Sequence, residues 1–196
     1  MQIERSLSEV KTLGPGNRLA IWVNGCKRRC LDCVSPELQV FCPANEVSIE
    51  DYFSWVDFDS VDGVTISGGE PFEQLTELNN LVTFLTKKKG IKDILVYTGY
   101  TLEELRGRTD CRIDSILDHI AVLIDGPYIK SLDTGKGNLK GSDNQRIIFL
   151  RTELKPCYDN YMKEERKIQV FDFGNHVVAA GIPNQDIICE FMDERC

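Results

Sequence analysis

The sequence predicts an α/β fold, either an incomplete (β/α) barrel or a curved, mostly parallel sheet. Three observations carry that reading. Short apolar runs alternate with stretches of helical periodicity, the pattern of β-α-β units joined by right-handed crossovers. The apolar runs end in loops rich in Gly, Cys and Asp, where open α/β sheets bind ligands. At 196 residues the chain is too short for eight strand–helix units, so a closed barrel is not expected.

Leu19-Ala20-Ile21-Trp22-Val23 is a continuous apolar run and reads as a buried strand. Ser48 is placed to cap a helix through Asp51, Tyr52, Phe53 and Trp55. Val61 to Ser67 reads as a second strand, ending at Gly68-Gly69. Phe72, Leu75, Leu78, Leu81, Val82 and Leu85 recur at helical spacing, and Lys87-Lys88-Lys89-Gly90 closes that helix with cations and a C-terminal glycine. Asp93 to Tyr97 is a third strand, ended by Gly99. Thr101-Leu102-Glu103-Glu104 carries capping-box chemistry at a helix start. Ile113 to His119 continues as helix, Ile120 to Asp125 as strand, and Arg146-Ile147-Ile148-Phe149-Leu150 as one more strand.

After about Thr152 the character shifts. Glu153 to Lys167 is polar, Ile168-Gln169-Val170-Phe171 alternates like an edge strand, and Val177 to Ile182 is again apolar. Residues 1–152 therefore read as the core and 153–196 as a C-terminal extension packed on it, suited to covering an open sheet edge.

The formal net charge is −8, which argues against bulk attraction to phosphate backbones and so against a nucleic-acid partner. No stretch reaches the roughly 18 apolar residues of a membrane helix, and the N-terminus shows no signal-peptide pattern. A cytoplasmic protein with no membrane partner is expected. In that compartment eight cysteines stay reduced, which favours metal ligation for clustered ones. Scattered Cys111, Cys157, Cys189 and Cys196 read as ordinary thiols, in the manner of small buried hydrophobes. Gly135-Lys136 lacks the rest of a phosphate loop. His119 and His176 have no visible acid–base partner, and no serine-hydrolase elbow is present.

The chemistry concentrates in Gly25-Cys26-Lys27-Arg28-Arg29-Cys30-Leu31-Asp32-Cys33, a C-x3-C-x2-C loop behind the first buried strand. Spacing alone leaves three readings. Three thiolates can hold a four-iron cluster with one iron open to substrate. Cys42, followed by Pro43, can close a four-cysteine iron–sulfur or zinc centre, although a second knuckle is absent. The thiols can also be unrelated. Lys27-Arg28-Arg29 beside them suits a lowered thiol pKa or the placing of an anionic partner.

Gly68-Gly69-Glu70-Pro71 follows the next strand. The glycines allow close backbone approach, Glu70 adds a negative charge, and Pro71 starts a helix. Backbone carbonyls beside a carboxylate suit an ammonium group. A turn that merely needs its glycines is the plainer alternative.

Together, C-x3-C-x2-C and Gly-Gly-Glu-Pro resemble the radical S-adenosylmethionine superfamily. The resemblance implies a [4Fe–4S] cluster held by Cys26, Cys30 and Cys33. It implies S-adenosylmethionine chelated at the open iron, with Gly68, Gly69 and Glu70 at the methionine end. It also implies a fold of the radical SAM type and reductive cleavage to a 5′-deoxyadenosyl radical. Asp32 stands where many members carry an aromatic beside the adenine, so a stacking contact is missing there while its backbone remains a cofactor contact. A narrower resemblance covers roughly residues 10 to 150. Gly14-Pro15-Gly16-Asn17-Arg18, Tyr97-Thr98-Gly99-Tyr100, Ile124-Asp125-Gly126-Pro127-Tyr128 and Gly141 to Arg146 are similar to the anaerobic ribonucleotide reductase activating proteins. That family implies Thr98 among the cofactor contacts, a glycyl-radical enzyme as partner, and a flavodoxin- or ferredoxin-type electron donor. The Asp125-Gly126 loop is expected to meet cofactor or partner, and Arg146 to be a rim contact or a salt bridge. Two alternatives remain: a radical enzyme acting directly on a peptide or small molecule, and a non-catalytic module closed by Cys42.

Overall fold

A computed structural model gives the fold and describes residues 1–183. Its centre is one six-stranded sheet of β1 (Ile3–Val10), β2 (Arg18–Val23), β3 (Gly63–Gly68), β4 (Ile94–Tyr97), β5 (Val122–Asp125) and β6 (Arg146–Phe149), in that spatial order. β2 to β5 run parallel, while β1 and β6 pair antiparallel at the two edges. The mostly parallel sheet, not closed into a barrel, is as expected. β1 went unread in the sequence: only Ile3, Leu7 and Val10 of its eight residues are buried, and its register shifts near Glu9.

The helices α1 (Ile49–Tyr52), α2 (Leu75–Thr83), α3 (Leu102–Arg106) and α4 (Cys111–His119) cover one face. Leu78, Leu81, Val82, Leu105, Ile113 and Ile116 pack there against Leu19, Ile21, Val23, Val64, Ile66, Ile94 and Val96. The expected long helix is broken up. Pro71–Glu73 is a 3-10 turn, α2 follows, and Phe84–Lys88 is a π-helical segment closed at Gly90, whose φ is +73°. Thr101 and Glu104 form the full capping box of α3, whereas Ser48 makes no side-chain cap bond to α1.

The second face is covered mainly by the chain after residue 150. Tyr158, on α5 (Lys155–Tyr161), is fully buried among Leu95, Ala121, Val122, Ile124 and Leu139. The hairpin of β7 (Ile168–Asp172) and β8 (Val177–Gly181) is a separate two-stranded sheet. Its Val178 and Ala180 pack on Leu7, Val10, Leu13 and Ala20. The extension therefore covers a face of the sheet rather than pairing with its edge.

At the amino ends of the parallel strands Arg18 is completely buried. It donates to Thr65 Oγ1 at 2.6 Å, Val64 O at 2.8 Å and Asp93 Oδ2 at 2.9 Å. Tyr158 completes the set by donating to Asp93 Oδ1 at 2.7 Å. This end is a structural lock, which leaves the opposite, carboxyl-end rim for chemistry. Among the described residues no helix is long and apolar enough to cross a membrane.

Candidate functional site

The four carboxyl-end loops do meet. The Gly69 amide donates to Val23 O at 2.7 Å and the Glu70 amide to Gly25 O at 2.8 Å, so the turn after β3 clasps the end of β2. On its other flank that end is held by Gly25 N to Leu38 O at 2.8 Å and Cys26 N to Gln39 O at 3.0 Å. The glycines answer to this crowding. A Cβ on Gly68 would fall 2.3 Å from Val23 N, and one on Gly69 2.4 Å from Gly25 O. The φ of Gly68 is +114°, a region that side chains rarely adopt. The plainer need for glycine is thus real, and it sets the turn directly against the cysteine loop.

Cys26, Cys30 and Cys33 are half-buried and unbridged. The backbone N–H groups of Arg28 and Arg29 face the Cys26 thiol and favour its thiolate, and Arg29 adopts φ +46°. Burial nevertheless pushes this thiol up, with the negative charges of Glu70 and Cys30 adding to the effect, so the basic run does not lower it. Among the described residues no three His, Cys, Asp or Glu side chains, Cys42 included, converge closely enough to grip a metal ion. The fit to a cluster lies in the donor set: three free thiols on one loop, with hydrogen-bond donors already turned to sulfur. Cys42 precedes a 3-10 turn, Pro43–Asn45, and its amide donates to Gln2 Oε1 at 2.7 Å. Cys111 and Cys157 are exposed rather than buried, while Cys189 and Cys196 lie outside the described residues.

Glu70 is only 1% exposed. Its Oε1 accepts the Phe72 amide at 3.1 Å and the Thr98 hydroxyl at 2.8 Å, and its Oε2 accepts the Gly99 amide at 2.8 Å. Burial pushes its carboxyl up to about 7 against these three donors. Thr98 also accepts the Tyr100 amide at 3.1 Å. Glu70 and Thr98 thus tie the β3 and β4 loops together. The Gly126 amide, donating to Tyr100 O at 3.0 Å, adds the β5 loop. Asp32 is exposed, and its charge adds a little to the rise of the Tyr128 phenol, which burial and Asp133 raise more strongly.

Asp125 is fully buried and accepts the Leu102 amide at 2.7 Å and Arg146 Nε at 2.9 Å. Arg146 also forks onto Glu103 and holds that carboxyl at about 2. Arg146 is therefore a rim salt bridge.

Sequence reasoning missed a second layer beside the cysteines. Tyr100 is sandwiched by Arg28, 4.7 Å from its ring centre, and Arg108, 3.9 Å away. Its hydroxyl donates to Glu73 at 2.5 Å, and Glu73 pairs with Lys27 at 3.0 Å. Lys27, Glu73, Arg108 and Arg112 line a shallow cavity of about 360 Å³ that includes no cysteine. The only signal in the sequence was the basic run itself, since its partners lie far along the chain.

Residues 12–148 match the family model described as a 4Fe-4S single cluster domain. The chain is 31% identical over 142 residues to the anaerobic ribonucleoside-triphosphate reductase-activating protein of Enterobacteria phage T4, covering 68% of this chain and 85% of that one. It is 30% identical over 146 residues to the protein of that name from Escherichia coli K12, covering 70% and 92%. For the Pasteurella multocida protein of that name the figures are 32% over 151 residues, covering 71% and 91%. The chain therefore belongs to the 4Fe-4S single cluster domain family and to that of the anaerobic ribonucleoside-triphosphate reductase-activating proteins.

Proposed function

We propose that this chain is a radical S-adenosylmethionine activase that generates a glycyl radical on a partner enzyme, an anaerobic ribonucleotide reductase. The observation that carries the reading is the clasp of two loops: the Cys26 loop and the Gly68-Gly69-Glu70 turn share the end of β2, joined by Glu70 N to Gly25 O at 2.8 Å. Cluster ligands and a turn suited to an amino-acid head are thereby brought side by side.

Cys26, Cys30 and Cys33 would hold the cluster, leaving one iron for the cofactor. When bound, cluster and cofactor together supply one-electron cleavage of the sulfonium, giving methionine and a 5′-deoxyadenosyl radical that takes hydrogen from a partner glycine. The chain's own residues bind and orient. Gly68 and Gly69 let the cofactor's methionine end approach backbone. Glu70 and Thr98 fix that turn to the β4 loop. Asp32 contributes backbone at the adenine side, without a ring to stack. The open sheet with its loops on one rim is the radical SAM arrangement in this reading. A flavodoxin- or ferredoxin-type protein in the cytoplasm is the proposed electron source. Residues 153–196 are read as an extension of the 1–152 core.

The family match ends at residue 148, and most of the chain that covers the second face lies beyond it. That favours, as a second reading, a different hydrogen donor recognised with help from the extension. Isotope tracing separates the two. With the reductase deuterated at glycine, 5′-deoxyadenosine recovered from the reduced mixture gains deuterium under the first reading. Deuterium arriving only from a peptide or small molecule supports the second and removes the first.

A further inference from the structure

We propose that Arg28 anchors the carboxylate of the S-adenosylmethionine head; this rests on the cofactor reading above. Arg28 lies between the first two cysteines, and its amide faces the Cys26 thiol. Its side chain runs back over Gly99. A Cβ at Gly99 would sit 2.8 Å from Arg28 Cδ, 3.0 Å from Nε and 3.5 Å from Glu70 Oε2. The arginine stem therefore lies directly over this glycine, with the Glu70 carboxylate close beside it. An α-amino acid head carries the complementary charges as two substituents of one carbon.

The guanidinium is held but not used. Stacking on Tyr100, itself backed by Arg108, fixes its plane. Its Nε is buried with no hydrogen-bond partner. The acid paired with it, Glu104, is 3.9 Å away and half-exposed. A buried donor without an acceptor is unfavourable, and a carboxylate accepts from the guanidinium fork in a charge-assisted way. The unpaired Arg28 Nε is thus a donor for an anion at the seam of the cysteine and β4 loops. A side chain at Gly99 would displace the arginine stem from this place.

The test compares two ligands on the cluster-reconstituted full chain by anaerobic equilibrium dialysis: S-adenosylmethionine and decarboxylated S-adenosylmethionine. Iron content and visible absorbance are recorded alongside. Arg28→Ala is expected to weaken S-adenosylmethionine binding by about 10- to 100-fold, and Arg28→Lys to recover part of it. The decarboxylated ligand should bind the unaltered chain weakly and lose nothing further in Arg28→Ala. Equal losses for both ligands would make Arg28 a purely structural residue and overturn the assignment. So would unchanged S-adenosylmethionine affinity, with or without altered cluster absorbance. If the unaltered, cluster-loaded chain binds neither ligand, the cofactor reading itself fails and takes the assignment with it.

Discussion

Glu70 brings two opposed demands into one carboxylate. Burial penalises its charge, while the Phe72, Thr98 and Gly99 donors favour it, and the balance puts its carboxyl at about 7. Its folded-state pKa lies above the usual carboxylate value. Between about 4.5 and 7 the folded chain therefore holds a proton that the unfolded chain has lost, and stability falls as pH rises through that window. Urea unfolding of the cluster-free chain should show a loss on the order of 2–3 kcal/mol from pH 4.5 to 7.5 attributable to this group. Glu70→Gln should flatten that dependence; an unchanged pH profile would contradict it. The thiols give a second prediction. Alanine at Cys26, Cys30 or Cys33 should abolish cluster iron on reconstitution, whereas Cys42→Ala should retain it, with iron and sulfide analysis as the readout. Loss of iron in Cys42→Ala would favour the closed four-cysteine centre. The cysteines were legible because their spacing is local. Arg28 on Tyr100 was not, because the two meet only after β4 is laid beside β3 in the sheet.

Among the elements, the α3 capping box and the strand of Leu19 to Val23 matched their sequence expectation, and both need only near neighbours. The Ser48 cap and the unbroken helix from Phe72 did not form. β1 escaped because an edge strand with few buried residues lacks a continuous apolar run. The strand at Ile168 was read, but α5 and the docking of the extension on a face escaped because their contacts are long-range. Tyr158 reaches Asp93 across 65 residues. Arg166 pairs with Asp133 at 3.0 Å, both side chains 2% exposed, and donates to the carbonyls of Gly137 and Lys140. It holds the loop between β5 and β6, the stretch that carries Tyr128, whose hydroxyl donates to the same Asp133. Arg166→Ala should destabilise the chain by about 3–5 kcal/mol by leaving Asp133 buried and unpaired. It should also speed hydrogen exchange across residues 127–145. Tyr158→Ala should cost about 3–5 kcal/mol through the cavity it leaves and the lost bond to Asp93. Exchange unchanged in the first variant would detach the extension from the rim.

Across the whole molecule the two ends of the parallel strands divide the labour. Arg18, Asp93 and Tyr158 lock the amino ends, and the carboxyl ends carry the cysteine loop, the glycine turn, Thr98-Gly99-Tyr100 and Asp125-Gly126. Alternating elements were enough to predict which end that is. They did not predict that the second face of the open sheet, rather than its edge, is covered by the chain's own C-terminal part. The central claim is that this rim cleaves S-adenosylmethionine. Its most direct test is to reconstitute the full chain anaerobically with iron and sulfide, add S-adenosylmethionine and a one-electron reductant, and quantify products by chromatography. Methionine and 5′-deoxyadenosine should form in equal amounts, only with reductant present, and not in Cys30→Ala. A chain that carries its full cluster and binds the cofactor yet yields no 5′-deoxyadenosine would contradict the account.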